Sequence, residues 1–240
     1  MLCGLSYLIH SRLGGIKMSM STQALNITDI HSINASWREG SEPLVLGDIF
    51  DVGKSVVVWK RPNNTLIQGY FSAAFKALGM GVRGVFSKAS LKKALAPLLP
   101  DGDGKQAVID DIFLLSDMLT TLFDCDSVGV RLVPLSAAMC PSFHVDNIPV
   151  RLVNTYLGEG TQWLPQEVIV SQDSVGVSGA LKKNRLGQYY KESDVHQMRA
   201  FDVGLLKGKA WQGHEEFAAV HRSCSVEIDN KRVLLTLDPM

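Results

Sequence analysis

His144 and Asp146 stand one residue apart in the stretch CPSFHVD, residues 140–146. On an extended strand alternate side chains face the same way, so an imidazole and a carboxylate at this spacing can reach one ion. His221 follows 77 residues after His144, and Arg232 eleven residues after His221. Two neutral imidazoles and one ionised carboxylate, all available near neutral pH, hold a divalent metal on one face and leave the other open. That arrangement suits ferrous iron, which then binds a cosubstrate and dioxygen together. In KRVLLTLD, residues 231–238, Arg232, Leu234 and Thr236 share one face while Val233, Leu235 and Leu237 share the other. A guanidinium turned into a sandwich interior requires an anion. A dicarboxylate cosubstrate held at its far end supplies one.

A competing arrangement uses sulfur. Cys140 lies four residues before His144 and Cys224 three after His221, which allows a two-cysteine, two-histidine zinc site. Cys140 shares the strand parity of His144, with Pro141 between them, whereas Cys224 has the opposite parity to His221 and needs a bulge or turn to join. Cys3 and Cys125 complete four widely spaced cysteines without a CxxC pair, which reads as reduced thiols in a cytosolic protein. His10, His31, His196 and His214 lack matching partners and read as solvated or locally hydrogen-bonded. Trp163 and Trp211 read as core or pocket wall, and Arg222 as a cation pointing away from His221. Gly158, Gly160 and Thr161 suggest a tight turn, since no lysine and helix follow as a phosphate loop demands. DGDG, residues 101–104, opens like a calcium loop, but later ligands are missing and a polar turn is the reading.

The elements that must position these groups change character along the chain. LVLGDIF and SVVVWKR, around Val45 and Val57, read as short strands. Phe71, Phe75 and Leu78 recur at helical spacing until Gly79 and Gly81, and Ser87 or Ser90 caps a second helix carrying Leu91, Leu95 and Leu98. Val108, Ile112, Leu115, Leu119 and Leu122 define the strongest amphipathic helix. After Asp126 the pattern is β: VGVRLVPL, PVRLVNTYL, QEVIVS, DVGLLKG, FAAVHRS and KRVLLTLD, with a polar excursion over residues 171–197 that includes Tyr189 and Tyr190. Several such strands in succession suggest a sandwich or barrel. The expected architecture is α+β, with helices packed outside a C-terminal β-sandwich. Residues 1–20 are expected to be disordered, 21–127 mixed and mainly helical, and 128–240 the metal-binding region of one integrated domain.

Twenty-four basic and 24 acidic residues give a net charge of zero, so the sequence offers no electrostatic footprint for nucleic acid or anionic membrane. A small-molecule or protein substrate is the expected partner. The opening apolar run is too short to span a bilayer and lacks a basic leader, which points to the cytoplasm.

FHVD, RLVNTYLGEGTQWLP, HRS and KRVLLTLD together resemble the double-stranded β-helix (jelly-roll, cupin-like) of the iron(II)- and 2-oxoglutarate-dependent oxygenases, and the prolyl-hydroxylase branch in particular. The resemblance covers roughly residues 128–240. It implies iron ligation by His144, Asp146 and His221, a 2-oxoglutarate carboxylate on Arg232, and Tyr156 and Thr155 as lining of the cosubstrate pocket. The whole pattern is more closely similar to a bacterial domain-of-unknown-function family found near zinc-homeostasis genes. That likeness brings zinc forward as a competing metal, with Cys140 and Cys224 as alternative ligands. Three readings follow: an oxygenase (hydroxylase) of unknown substrate, a non-catalytic zinc- or divalent-metal-binding protein linked to metal homeostasis, and a catalytically dead sandwich used for protein contacts.

Overall fold

Short runs of β-branched and leucine side chains, punctuated by Gly, Pro and Asp, build two facing sheets. The computed structural model describes residues 35–169, 182–184, 186–213, 217–226 and 231–240. The strands are β1 (Trp37–Gly40), β2 (Val56–Trp59), β3 (Val82–Ser87), β4 (Ser127–Leu135), β5 (Val150–Leu157) and β6 (Gln162–Leu164). They continue with β7 (Lys182–Lys183), β8 (Tyr189–Tyr190), β9 (His196–Gln197), β10 (Val203–Lys207), β11 (Val220–Arg222) and β12 (Arg232–Pro239). The large sheet has the order β1-β2-β10-β5-β12-β4-β3, and the small one β11-β6-β9. An isolated antiparallel bridge between His144 and His221 extends the small sheet by one position. From β4 onward the chain switches between layers: β4 large, His144 small, β5 large, β6 and β9 small, β10 large, β11 small, β12 large. This switching carries residues distant in sequence onto one inner surface.

Side-chain alternation divides the large sheet cleanly. Val130, Leu132, Val150, Leu152, Val203, Leu205, Val233, Leu235 and Leu237 face the helices in the main core. The opposite face sends Val56, Val58, Val153 and Leu206 against Trp163 and Ala219 of the small-sheet layer. Three helices cover the outer face: α1 (Thr65–Ala74), α2 (Leu91–Leu95) and α3 (Lys105–Leu122). Asn64 caps α1 by accepting from the Leu66 and Ile67 N–H groups. In α3, Val108, Ile112, Leu115 and Leu119 are buried as their spacing predicts, each worth about 1.5–3 kcal/mol relative to exposure.

The observed elements differ from the sequence pattern in three places. Residues 43–50 form a 3-10 helix, not a strand: Pro43 starts it, and Leu46 and Ile49, three apart, are its buried side chains. The strand β3 is hidden in the sequence because Gly84 breaks its alternation and only Val82 is buried. Within QEVIVS, Gln166–Val168 is a 3-10 turn following Pro165, and residues 170 and 171 lie outside the described residues. The region expected to be mainly helical therefore contributes β1, β2 and β3 to the same sheet as the later strands. The expected disorder of residues 1–20 and, within the 171–197 excursion, residues 171–181 and 185 fall outside the described residues. Among those described, no helix is long and apolar enough to cross a membrane.

Candidate metal centre

His144 and His221 are direct cross-strand partners. The His144 N–H donates to the His221 carbonyl at 3.0 Å, and the His221 N–H to the His144 carbonyl at 2.9 Å. Such partners project to the same side of a sheet, and the two imidazole centroids are 4.5 Å apart. Asp146, two residues beyond His144, returns to that side. Its Oδ1 lies 3.8 Å from His144 Nε2 and its Oδ2 3.6 Å from His221 Nε2. One ligand atom from each residue falls within 4.8 Å of the others.

The surrounding hydrogen bonds orient this set. His144 Nδ1 is 3.0 Å from the Ser142 carbonyl and His221 Nδ1 is 3.0 Å from the Ala219 carbonyl. A carbonyl only accepts, so each Nδ1 carries the proton and each Nε2 presents a lone pair. Burial holds the His221 imidazole below its ordinary pKa, against the opposing pull of Asp146, which favours the neutral ligand form. Arg151 Nη1 donates to Asp146 Oδ2 at 2.7 Å, while its Nε and Nη2 grip Asp238 bidentately at 2.8 and 2.7 Å. The backbone is pinned as well: Lys209 N–H donates to the Asp146 carbonyl and Gly208 N–H to the Pro149 carbonyl. A Cβ at Gly208 would sit 1.9 Å from the Ile148 oxygen, so glycine is what lets the Asp146 loop approach β10.

Arg232 opens β12, and its side chain is buried. It is 1% exposed. Its Nε donates to the Glu159 carbonyl at 2.7 Å, Nη1 to Ser223 Oγ at 2.9 Å, and Nη2 to Thr155 Oγ1 and Thr161 Oγ1 at 3.3 Å each. Among the described residues no carboxylate pairs with it, and burial pulls its pKa down. Ser223 lies two residues past His221, about 7 Å along extended chain. Trp163 stands opposite His221 in register, with its indole N–H buried and lacking an acceptor.

Thr155 Oγ1 accepts from Arg232 Nη2. Tyr156 does not share that side: one residue on, it points to the helical face, stacks on Phe71 and donates its hydroxyl to Asp111 at 2.8 Å. Its expected place as pocket lining is corrected by strand parity. The cysteines do not join the histidines. Cys140 is exposed, and Cys224, with its opposite parity, is buried with Sγ 3.3 Å from the Glu159 carbonyl. Neither thiol belongs to the metal-capable group, which among the described residues consists of His144, Asp146 and His221. His196 packs between Trp37 and Trp163. His10, His31 and His214 lie outside the described residues. Arg222 points away from the site, stacked over Phe143 and paired with Glu192.

Arg151, Thr161, Ser223 and the Glu159 carbonyl are additions that the sequence pattern does not single out. Arg151 and Ser223 carry a readable signal, since each shares strand parity with a recognised residue, Thr155 and His221. The Glu159 carbonyl and Thr161 depend on how the turn after β5 folds, which side-chain type does not encode. That turn is tight because Gly158 adopts φ +81, and a Cβ there would lie 2.6 Å from the Lys231 oxygen.

Fold and site together define a two-sheet α/β protein with a two-histidine, one-carboxylate centre. Residues 40–238 match the family described as "Protein of unknown function (DUF1826)", and the chain belongs to that family. No curated protein matches it in sequence. Among solved structures it is similar to a dioxygenase for auxin oxidation in rice, at 11% identity and a TM-score of 0.44, covering 78% of this chain and 73% of that one. It is also similar to a prolyl 4-hydroxylase structure from Phytophthora capsici, at 15% identity and a TM-score of 0.43, covering 81% of this chain and 61% of the other. A third likeness is to a full-length Neurospora crassa protein in complex with alpha-KG and thymine, at 11% identity and a TM-score of 0.42, covering 77% of this chain and 75% of that one. At these identities and TM-scores, the side-chain geometry alone carries the functional reading.

Proposed function

We propose that this protein is an iron(II)- and 2-oxoglutarate-dependent oxygenase built on a double-stranded β-helix. The observation that carries the reading is Arg232: a fully buried guanidinium, ringed by three hydroxyls and a carbonyl, with no carboxylate beside it among the described residues. An unpaired buried charge costs several kcal/mol. A dicarboxylate whose far end meets Arg232 relieves that cost, and its other end then extends toward His144, Asp146 and His221.

The donor set fits ferrous iron. Two Nε2 lone pairs and one carboxylate oxygen converge from a single side, leaving open positions for a cosubstrate and dioxygen. When bound, iron(II) supplies dioxygen activation coupled to oxidative decarboxylation of 2-oxoglutarate to succinate, with hydroxylation of a substrate. The chain's residues do the positioning. The Ser142 and Ala219 carbonyls fix the imidazole tautomers, and Arg151 holds the Asp146 carboxylate at one angle. The Glu159 carbonyl, Ser223, Thr155 and Thr161 hold the Arg232 guanidinium in place through four of its five N–H groups, leaving one Nη1–H for a carboxylate. Val58, Val153, Trp163 and Leu206 keep water out of the neighbouring interior.

The test is succinate formation by protein reconstituted with iron(II), supplied with 2-oxoglutarate and oxygen, and compared with Arg232→Ala. Slow 2-oxoglutarate-dependent succinate release in the parent that disappears in the variant is the expected outcome. Metal retained equally by both proteins, with zinc as the native metal and no affinity for 2-oxoglutarate, would replace this reading with a metal-binding role.

A further inference from the structure

Beside the metal centre, one face of the large sheet carries three arginines, two of them directly paired. Arg83 on β3 and Arg131 on β4 are direct antiparallel partners. Val82, Val130 and Leu132 of these strands face the helices. Alternation thus turns both arginines to the opposite face, the one that carries Arg151 and Asp238. Guanidiniums paired directly across two strands start from Cβ atoms about 4.5–5.5 Å apart and repel each other.

The nearby carboxylates are already committed. Both Asp238 oxygens accept from Arg151, and Asp146 Oδ2 accepts from the same residue. Among the described residues, neither Arg83 nor Arg131 has a carboxylate partner. Arg131 sends Nη2 to the Met139 sulfur at 2.6 Å, a weak acceptor, and its Nε–H is buried without any acceptor. Burial first, and then Arg83 and Arg151, pull the Arg131 pKa down. Arg83 is exposed, and on its face the next residue is Val85, 61% exposed, opposite Gly129, over which the Met240 sulfur lies. An exposed cation and a half-buried one therefore sit next to an apolar shelf. Further along the same face, Arg151 touches the ligand Asp146.

We propose that Arg83 and Arg131 bind an oxyanion group of the substrate, a carboxylate or a phosphate, so that the oxygenase acts on a small organic anion whose body lies over Val85 and Gly129. The role as a substrate site rests on the oxygenase reading; the anion site itself does not.

The experiment is calorimetric titration of the full metal-free chain with inorganic phosphate and, separately, with benzoate. Arg83→Gln, Arg131→Gln, Arg131→Lys and Arg232→Gln are titrated alongside the parent. At least one anion is expected to bind the parent one to one, and the preferred anion tells phosphate from carboxylate recognition. Losing one charged donor weakens binding about tenfold, so Arg83→Gln and Arg131→Gln should each show that loss, while Arg131→Lys stays within a few-fold. Arg83 is exposed, so its variant folds, and circular dichroism verifies this for each protein. Failure of both anions to bind the parent, or loss of binding in Arg232→Gln but not in Arg131→Gln, overturns the proposal. Metal and 2-oxoglutarate affinities of Arg131→Gln separate the two readings. If both are retained while anion binding is unaffected, only the anion site is lost. A parent that ignores 2-oxoglutarate yet binds phosphate through Arg131 sinks the oxygenase reading alone.

Discussion

At the residue scale the site divides into groups that touch a ligand and groups that aim them. Arg232→Lys keeps a charge but loses the planar fork that spans Glu159, Ser223, Thr155 and Thr161. It is expected to weaken 2-oxoglutarate about tenfold or more while leaving metal affinity within twofold, as equilibrium titration of each will show. Tyr156→Phe should do the reverse. It removes the hydrogen bond to Asp111, which also receives a bidentate Arg61, at a stability cost of about 1–3 kcal/mol, and leaves 2-oxoglutarate affinity unchanged. A chemical denaturation curve beside a binding isotherm checks both halves. The contrast between Thr155 and Tyr156 shows what the sequence could convey. Residue type made both plausible, and only strand parity, anchored by knowing which face of β5 meets the helices, separates them. The histidines and Asp146 were legible because one ion accepts few side-chain types. Arg151 was readable only through its parity with Thr155; its grip on Asp146 was not, because a cation next to a carboxylate looks like any surface pair until Asp238 is folded beside it.

At the element scale, the approach of the Asp146 loop to β10 depends on Gly208. Gly208→Ala places a methyl 1.9 Å from the Ile148 oxygen and 2.9 Å from the Asp146 oxygen, so the loop must retreat. Metal affinity is expected to fall about tenfold, in line with what disturbing the support of a ligand does elsewhere, and stability to fall by about 1–3 kcal/mol. The small sheet carries a pH signature. His196 is packed, with its ring tilted, between Trp37 and Trp163 at centroid distances of 4.6 and 5.2 Å, and burial lowers its pKa. A group whose proton affinity is lower folded than unfolded favours the folded state fully above its unfolded value, about 6.5, and loses that advantage as pH falls. Urea midpoints should therefore drop from about pH 7.5 to about pH 5.5, and His196→Phe should flatten the drop while preserving the ring stack. An identical pH slope in the variant would contradict this. Most strands of the second half could be read from their Val and Leu alternation. The 3-10 segment over residues 43–50 could not, because a three-residue spacing of Leu46 and Ile49 shares residue types with a strand, and Gly84 erased the alternation that would have revealed β3.

At the scale of the whole molecule, the two ligand-bearing segments belong to the small-sheet layer, and Arg232 belongs to the large sheet. The site exists only when the layers close on each other, so ligand binding and folding are linked. A divalent metal at about 100 times its dissociation constant should add about 2.7 kcal/mol to the stability of the parent, and none to a His144→Ala, His221→Ala double variant. Thermal melts with and without metal measure it. The central claim is that one interior holds the metal and a 2-oxo dicarboxylate together. The most direct measurement is anaerobic titration of the iron(II)-loaded protein with 2-oxoglutarate, following the visible charge-transfer absorption of a 2-oxo acid chelated to iron(II). The oxygenase reading predicts a band that saturates at one equivalent, vanishes in His221→Ala, and requires about tenfold more ligand in Arg232→Gln. Iron bound at His144, Asp146 and His221 with no band at saturating 2-oxoglutarate would contradict it.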